Sequence, residues 1–474
     1  MTYLKQRRRR FWLPGGLVLC GVTALATITV ATALGSSEGS STPIKIGILS
    51  DCQGAFGAFY DQDIGGAIAA FSQYAGAKPK NPNKPSAGMT GGKIGNHPIE
   101  IVGFGCGNDK ADKAIVETRR LMEQLDADIM IGPLSGDEAI AVANYAKSHP
   151  AKTIVNGTAG SQDPTLRVRA KNFFRYHGDG AQWNAGLGEL AYKTKKWRRV
   201  AVIADDYSFA WTSAAGFIAD FCGVGGKITT RVFPPLNTTD YSSFVRQLPA
   251  PNTVDGYFWA VGGAGLIPSL KAFEQTHGPI EGAKFMGNGF WVVTGFEQLG
   301  NRVAGAYAGT FGTASDLKSA KAQNYAKVIG KWFKQIPPFG DNSKGQQASS
   351  NFLYNYYNAT WALIKALKTV DGDLTGNQKR LQAALAKTAL PDAAYGPIKL
   401  DKYRNGVQGQ YIQQLGLSGG KLSVKTVRYV PGVEQTFAGT FDGTPSPGRN
   451  YPGCSKRKLP WHGKTRPVVN GIIK

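Results

Sequence analysis

The stretch from Asp128 to Ser161 constrains the fold more than any other part of this 474-residue sequence. A helix is predicted over Asp137–Lys147, and a short apolar strand is predicted on each side of it, Asp128–Ile131 and Lys152–Val155. Strand, helix and strand follow one another without a gap, so the stretch predicts a βαβ unit with two parallel strands. A fold of the α/β class follows from this unit.

Each of these two strands ends in a turn of small residues. After the first strand, Gly132-Pro133 leads to Ser135 and Gly136, which are placed to cap the helix, and Asn156–Ser161 follows the second strand. A helix start attracts carboxylates, and ligands of open α/β sheets bind beyond the carboxyl ends of the strands. The two turns therefore indicate a ligand site. The alternative is that Ser135 only caps the helix and the glycines only turn the chain.

The N-terminus has the pattern of a secretory signal peptide over residues 1–35. Lys5 and Arg7–Arg10 precede the apolar stretch Phe11–Leu34, and the small residues Ala31 and Ala33 suit a cleavage site. Two alternatives stay open, because the apolar stretch is long enough to remain as a membrane anchor and the arginine run also fits a twin-arginine signal. The pattern predicts a protein of the periplasm or another extracytoplasmic space.

The chain is strongly basic, with 55 Lys and Arg against 32 Asp and Glu and a formal net charge of +23. Removal of residues 1–35 takes away five basic and no acidic residues and leaves +18. The basic residues are scattered and are not interleaved with aromatic residues, which argues against nucleic-acid binding. Attraction of anionic ligands or surfaces is a sufficient explanation of the charge.

The cysteines agree with export. Four of the five follow the predicted signal peptide and are expected to form two disulfides, namely Cys52, Cys106, Cys222 and Cys454. Their spacing fits no zinc pattern, and the five histidines occur singly along the chain. No metal site, cofactor or catalytic residue is predicted.

The first predicted strand, Ile44–Leu49, is followed by an aromatic turn. The glycines of this turn do not fit a dinucleotide fingerprint, because Phe56, Phe59 and Tyr60 would crowd a pyrophosphate. These aromatic residues are interpreted as a pocket wall, with packing between lobes as the alternative.

Strands and helices then alternate, which is typical of parallel sheets. The predicted strands are Ile99–Phe104, Arg199–Ala204, Lys227–Phe233, Val254–Ala260 and Lys284–Gly287, and the predicted helices are Asp61–Tyr74, Asp109–Leu125, Tyr241–Leu248, Leu266–Thr276, Asp316–Gln335, Asn351–Val370 and Asn377–Lys387. Residues 75–98 are predicted to form a solvated excursion or a turn-rich hairpin. The predicted strands Gln408–Gln414 and Lys421–Tyr429 flank the sequence GLSGG, which is therefore a hairpin turn and not the nucleophile elbow of a hydrolase.

These residues resemble the branched-chain-amino-acid-type substrate-binding proteins of bacterial ABC transporters, which have the type I periplasmic-binding fold. The resemblance covers about residues 43–430, and its motifs occur in the family's order, namely IKIGILSDCQGAFG, IGPLSG, TIVNGTAGS, RRVAVIADDYSF, VDGYFWAVGG and AKFMGNG. It implies an α/β fold of two doubly wound parallel-sheet lobes joined by three crossover strands. It also implies that the lobes close on a ligand and that the closed form meets a membrane permease.

The resemblance implies the boundaries of the lobes as well. Residues 43–160 with about 300–387 are expected to form the first lobe, and about 165–290 with about 395–430 the second. The chain is expected to cross between them near Ser161–Phe174, near Phe290–Gly300 and after Lys387. Residues 431–474 are expected to form a C-terminal tail.

The resemblance also assigns ligand-binding roles to particular residues. In that family the GPLSG turn and the turn after the next strand hold the ligand carboxylate, and the corresponding residues here are Ser135, Gly136, Thr158, Ala159 and Ser161. An aromatic residue after the RRVAVIADD strand covers the ligand from the other lobe, and the residues expected on that side are Tyr207, Gly263 and Ala264.

One turn departs from the family pattern. Amino-acid-binding members commonly place an acidic residue after the strand AKFMG to pair with the ligand's ammonium group, and this chain has Asn288 and Gly289 there, with Trp291 nearby. Asp205 or Asp206 is an alternative partner for an ammonium group, unless it only caps its helix. Amino acids remain the family default, while this turn favours a hydrophobic or aromatic carboxylate without an amino group.

The predicted function is that of a solute-binding protein of an ABC importer, which captures a small carboxylate by hinge closure and does no chemistry. A monomer is expected. The alternative is an exported ligand-sensing subunit of the same fold that signals to a receptor. An α/β enzyme is disfavoured, because the chain lacks a dinucleotide turn, a correctly placed nucleophile elbow and a clustered His/Asp/Glu set.

The resemblance bears on the cysteine pairing too. Cys106 lies after the second strand, where some family members carry a cysteine, but the usual partner turn, here GPLSG, has none. We predict a Cys52–Cys106 disulfide between loops on adjacent strand ends. We also predict a Cys222–Cys454 disulfide, which fastens the tail to the second lobe.

Overall fold

The structure is a computed structural model that describes residues 42–292, 296–314, 316–443 and 445–474. The predicted signal peptide, with its anchor and twin-arginine alternatives, lies outside the described residues. None of the helices in these ranges combines the length and the apolarity needed to cross a membrane.

The strands of the described residues fall into two large sheets and two small hairpins. In chain order they are β1 (Ile44–Asp51), β2 (Ala77–Pro79), β3 (Met89–Gly91), β4 (Lys93–Ile94), β5 (His97–Gly107), β6 (Ile129–Ile131), β7 (Thr153–Val155), β8 (Phe173–Phe174), β9 (Arg199–Ala204), β10 (Lys227–Val232), β11 (Gly256–Ala260), β12 (Phe285–Gly287), β13 (Tyr307–Gly309), β14 (Gln335–Ile336), β15 (Phe339–Asp341), β16 (Lys399–Leu400), β17 (Gly406–Ser418), β18 (Lys421–Val433), β19 (Arg466–Val469) and β20 (Ile472–Ile473).

The α-helices of the described residues cover the faces of the sheets. They are α1 (Tyr60–Ala75), α2 (Ala111–Arg119), α3 (Gly136–Ser148), α4 (Gly180–Trp183), α5 (Leu187–Glu189), α6 (Ser208–Gly223), α7 (Ser242–Val245), α8 (Leu266–His277), α9 (Ala320–Trp332), α10 (Asn351–Thr369) and α11 (Lys379–Lys387). One-turn π-helices follow α2 and α5, over Arg120–Gln124 and Leu190–Thr194, so the predicted helix Asp109–Leu125 is confirmed in extent but changes its winding. The predicted helix Tyr241–Leu248 is limited to the single turn α7.

The first sheet has the strand order β4–β5–β1–β6–β7–β8 and is parallel except for the short pairing of β4 with β5. Its central strand β1 is buried on both faces. Ile46 and Ile48 pack with α1 and α10, whereas Leu49 packs with α2 and α3 on the opposite face. Because successive side chains of β1 point to opposite faces and both faces are covered, the strand needs an almost continuous run of apolar residues. The predicted βαβ unit is confirmed as β6, α3 and β7.

The second sheet is mixed. Strands β10, β9, β11, β12 and β13 are parallel in that order, and β17, β18, β19 and β20 continue the sheet in antiparallel pairs. The sequence GLSGG joins β17 to β18 with Ser418 paired to Lys421, so the predicted hairpin turn is confirmed. The alternating part of the chain supplies the predicted parallel strands, and the hairpin adds the antiparallel ones, because a tight hairpin can connect only antiparallel strands.

The chain passes between the two sheets three times within the described residues, after β8, after β13 and after α11. Two predicted boundaries need correction. Residues 307–309 form β13 in the second sheet, so the passage expected near Phe290–Gly300 occurs later. The predicted tail also contributes β19 and β20 to the second sheet, because Pro467 pairs with Arg428 of β18.

Both predicted disulfides are present. Cys52 and Cys106, with Cα atoms 5.1 Å apart, join the ends of the neighbouring strands β1 and β5. Cys222 in α6 and Cys454 in the tail have Cα atoms 5.2 Å apart. The tail is also held by Trp461, whose indole Nε1–H donates to Asp220 of α6 at 3.1 Å. The predicted fastening of the tail to the second lobe is therefore confirmed.

Candidate ligand-binding site

The turns after β6 and β7 lie side by side at one edge of the first sheet. Gly132 directly follows β6 with a φ of +131°, and a Cβ atom on it would lie 2.2 Å from the carbonyl oxygen of Leu49, so only glycine fits this turn. The N–H of Thr158 donates to the carbonyl of Pro133 at 3.2 Å and ties the second turn to the first. Ser135 and Gly136 are thereby held next to Thr158.

Ser135 occupies the N-cap position of α3, but its side chain makes no capping hydrogen bond. The residue is 2% exposed, and its Oγ has no hydrogen-bond partner in the protein. The Ser135 hydroxyl is therefore free for something other than the helix.

The described residues enclose a small cavity between the lobes at this point. Its wall is mostly aromatic and includes Phe56, Trp183, Tyr207, Phe209, Phe290, Phe311 and Phe352, together with Leu134, Ser135, Gly136, Thr158, Gly160 and Asn351. The open volume is about 20 Å³, close to that of one water-sized sphere. A ring-sized ligand therefore fits only after the lobes part or the aromatic side chains rotate.

The aromatic wall is contributed by both lobes. Phe56, in the turn after β1, stacks on Phe290 of the second lobe with ring centroids 5.5 Å apart. Phe311 meets Phe290 edge to face at 5.2 Å and Trp183 at 4.9 Å. Stacked and edge-to-face rings of this kind offer a flat apolar slot to a planar ligand.

The polar groups of the cavity wall are uncharged. The Ser135 hydroxyl, the Trp183 indole Nε1 and both amide atoms of Asn351 lack a hydrogen-bond partner in the protein. The Thr158 hydroxyl makes only long hydrogen bonds, to Asp63 at 3.5 Å and to the carbonyl of Phe352 at 3.4 Å. The wall thus supplies several unpaired hydrogen-bonding groups and no carboxylate.

Five of the residues predicted for the site line the cavity: Phe56, Ser135, Gly136, Thr158 and Tyr207. Ala159 and Ser161 do not line it, because their carbonyl groups accept from the buried guanidinium of Arg175. The Ser161 hydroxyl donates to the carbonyl of Gly136 at 2.9 Å. Ala159 and Ser161 therefore hold the turn in place through contacts outside the cavity wall.

The other predicted site residues lie around the cavity and not in its wall. Ala264 donates its N–H to the carbonyl of Ala55 at 3.1 Å, so Gly263 and Ala264 form a contact between the lobes. Phe59 stacks on Phe352 at 3.8 Å and forms a second aromatic layer, whereas Tyr60 begins α1. The remaining residues outside the wall are Asn288, Gly289 and Trp291, all buried.

Residues 43–421 match the protein-family model described as "Periplasmic binding protein". The chain belongs to this family. The family consists of binding proteins and not of enzymes. No curated protein sequence matches the chain.

Solved structures of periplasmic binding proteins share the two-lobed fold. A solute-binding protein of an ABC transporter from R. palustris in complex with benzoate is 22% identical, with 82% of this chain and 97% of that chain covered and a TM-score of 0.66. A solute-binding protein from Rhodopseudomonas palustris in complex with 3,4-dihydroxybenzoic acid is 18% identical, with 83% and 98% covered and a TM-score of 0.66. A leucine-binding protein from Thermotoga maritima is 16% identical, with 81% and 97% covered and a TM-score of 0.62.

This periplasmic binding protein has cavity residues that the sequence did not single out. Trp183 ends the short helix α4, Phe209 lies in the first turn of α6, Phe311 follows β13, and Asn351 and Phe352 begin α10. Of these residues, only Phe209 could have been inferred from the sequence, because it follows the predicted Tyr207 by two positions. The other positions depend on how the chain passes between the lobes, which no local pattern encodes.

A cluster of three buried carboxyl groups lies behind the site in this periplasmic binding protein. Asp51 ends β1, and the carboxyl groups of Asp109 and Glu138 lie beside it. Burial and the two neighbouring acids hold the pKa of Asp51 well above its usual value. Burial raises the pKa of Asp109 to about 6 and that of Glu138 to about 7. No group of His, Cys, Asp and Glu in the described ranges has the arrangement of a metal site.

Proposed function

We propose that this chain is an extracytoplasmic solute-binding protein of an ABC importer, which captures a small aromatic or other apolar carboxylate between its lobes and delivers it to a membrane permease. The observation that carries the proposal is the Ser135 hydroxyl, which is buried and unpaired at the start of α3 in an uncharged, aromatic-walled cavity. A hydroxyl beside the first N–H groups of a helix suits a carboxylate, and stacked rings suit an apolar body.

The lack of a carboxylate in the cavity wall favours a ligand acid without an amino group. A buried ammonium group needs a carboxylate partner, and the cavity wall contains none. Neither of the alternative partners lines the cavity. Asp205 accepts the N–H of Gly262 at 2.8 Å, and Asp206 pairs with Arg449 and accepts from the indole of Trp211 at 3.0 Å.

The comparisons support the same class of ligand. Two of the structures with this fold are complexes with benzoate and with 3,4-dihydroxybenzoic acid, both planar aromatic carboxylates. The leucine-binding protein has the same fold, so the choice between the classes rests on the cavity and not on the fold. The two disulfides support an oxidising, extracytoplasmic location. We propose a monomer, since one chain supplies both lobes of the site.

A thermal-shift screen of the mature protein tests the proposed function. A ligand that binds only the folded state stabilises it by about 2.7 kcal/mol at 100 times its dissociation constant. We expect benzoate and its substituted forms to raise the melting temperature more than leucine, isoleucine or valine do. Larger shifts with the three amino acids would return the protein to the amino-acid-binding class.

A further inference from the structure

Asn351 differs from the other polar residues of the cavity wall, because its side chain offers both a hydrogen-bond acceptor and two donors. It is the first residue of α10, it is 0% exposed, and neither Oδ1 nor Nδ2 has a partner in the protein. Leaving such a buried group unpaired costs free energy. The amide therefore calls for a partner that the protein does not supply.

A carboxylate alone cannot be that partner. An ionised carboxylate only accepts hydrogen bonds, so it can pair with the Ser135 hydroxyl, the Trp183 indole N–H or the Asn351 Nδ2. It offers nothing to the Asn351 Oδ1, which is an acceptor itself, and exchanging the two amide atoms leaves the same mismatch. A ligand that satisfies this residue must carry a hydrogen-bond donor in addition to its acid group.

The donor must also be uncharged. An ammonium group would be buried here without a carboxylate in the wall, at a cost that one amide oxygen does not offset. A hydroxyl or an aromatic amino group donates without a charge, and a hydroxyl also accepts from Nδ2.

We infer that Asn351 is a specificity residue that recognises a neutral hydrogen-bond donor, typically a hydroxyl, on the body of a carboxylate ligand. The inference rests on the proposed function and narrows it from apolar carboxylates to hydroxy- or amino-substituted aromatic acids. Ser135 acts on the acid group of every ligand in this class, whereas Asn351 acts only on the substituted members. The two roles can therefore be separated with matched ligands.

Helix α10 provides a matched control residue. Asn355 follows Asn351 by one helical turn, it is also 0% exposed, and its amide atoms also lack partners in the protein, but it does not line the cavity. A change from Asn to Leu at either position removes the same amide from the same helix. The two variants differ only in whether that amide borders the ligand.

Calorimetric titration with benzoate and with the 2-, 3- and 4-isomers of hydroxybenzoate, aminobenzoate and fluorobenzoate tests the inference. Fluorine has nearly the size of a hydroxyl group but donates no hydrogen bond. We expect the best hydroxy or amino isomer to bind the wild-type protein at least tenfold more tightly than benzoate and its fluoro counterpart, because a site built to pair with a hydroxyl rejects an analogue that lacks it. Asn351→Leu should reduce this ratio to about one, because the ratio compares ligands that differ only in the donor, while Asn355→Leu should keep the wild-type ratio.

The outcomes distinguish failure of the inference from failure of the proposed function. If benzoate binds and the wild-type protein prefers no donor-bearing isomer, or Asn351→Leu keeps the preference, the inference is overturned and the proposed function stands. If no aromatic acid binds, the proposed function fails and the inference fails with it. The wild-type ratios can overturn the inference even if Asn351→Leu does not fold, because they require no variant.

Discussion

At the scale of single residues, two serine side chains near the start of α3 have different roles. Ser135 makes no capping hydrogen bond, and its hydroxyl is unpaired beside the cavity. A serine at an N-cap position usually bonds to the helix, so an oxygen without such a bond supports the proposed role in ligand binding. Ser161 has the opposite role, since its hydroxyl donates to the carbonyl of Gly136 within the protein.

Ser135→Ala should weaken the binding of benzoate or its best substituted form by about 1.5–3 kcal/mol, the range for a hydrogen bond to a charged group. The melting temperature of the empty protein should change little, because the removed hydroxyl has no partner in the protein. Ser161→Ala is the control and should lower stability more than Ser135→Ala does. Calorimetric titration and thermal unfolding measure the two effects. A loss of about 1 kcal/mol of stability with unchanged affinity would identify Ser135 as a cap after all.

Proximity in the sequence explains which site residues could be predicted. Ser135, Gly136 and Thr158 follow neighbouring parallel strands, and the carboxyl ends of such strands share one edge of the sheet. Asn351 and Phe352 reach the same cavity from the far end of the chain, after the second passage between the lobes. Nothing in their local sequence separates them from ordinary helix residues, so only the folded chain identifies them.

At the scale of elements, three buried carboxyl groups join the ends of β1, β5 and α3. Asp51 belongs to β1, Asp109 follows β5, and Glu138 lies in the first turn of α3. The carboxylate of Asp109 also accepts the N–H of Ala55, in the turn that carries Phe56 to the cavity. At least one proton in this cluster allows the three acids to share hydrogen bonds without three charges. The cluster could not be predicted from the sequence, because its members are separated by 29 to 87 positions.

The carboxyl cluster makes stability depend on pH with a definite sign. The pKa of Glu138 is raised from its ordinary 4.5 to about 7, so the folded protein holds a proton that the unfolded chain releases. The resulting stabilisation is complete below pH 4.5 and is lost as the pH rises through 7, by an amount on the order of 3 kcal/mol. His177 acts in the opposite direction, since burial lowers its pKa to about 3 and its contribution grows as the pH rises. The free energy of unfolding of the wild-type protein must therefore be compared with that of a variant at each pH.

Glu138→Gln keeps an acceptor for the Asn108 N–H and removes the titration. We expect the wild-type free energy of unfolding to fall relative to that of Glu138→Gln as the pH rises from 5 to 8. Denaturant titrations at several pH values measure this difference. Glu100→Gln, a change of an exposed carboxyl group on β5, is the control and should track the wild-type protein. A constant difference between wild type and Glu138→Gln would show that Glu138 does not exchange its proton in this range.

At the scale of the whole molecule, the described structure holds the lobes in contact across the cleft. The N–H of Ser208 donates to the Asp137 carboxylate at 3.2 Å, and Ala264 donates to the carbonyl of Ala55. The larger apolar cluster includes Phe56, Phe59 and Leu134 of the first lobe together with the core of the second. The two-lobed arrangement was predictable from the order of the motifs. The attachment of the tail through Cys454 was also predicted, but its strands β19 and β20 were not, since both lie beyond residue 421, where the family match ends.

Gly136 allows this closure because it has no side chain. A Cβ atom at this position would lie 2.6 Å from the Ser208 Oγ and 3.0 Å from the Phe209 backbone nitrogen, both in the second lobe. Gly136→Ala should therefore weaken ligand binding by about 1–3 kcal/mol, the usual cost of inserting a methyl group into a well-packed contact. The stability of each lobe should change less, because the clash exists only when the lobes meet.

Small-angle X-ray scattering with saturating benzoate, or with the best acid from the thermal-shift screen, measures the effect on closure directly. We expect Gly136→Ala to keep a larger radius of gyration than the wild-type protein at saturation, because a ligand can shift the equilibrium only by its difference in affinity for the two states. Gly340→Ala is the control, since that glycine has open space around it and an ordinary backbone conformation. Full compaction of Gly136→Ala with wild-type affinity would show that the lobes close on the ligand without the contact between Gly136 and Ser208.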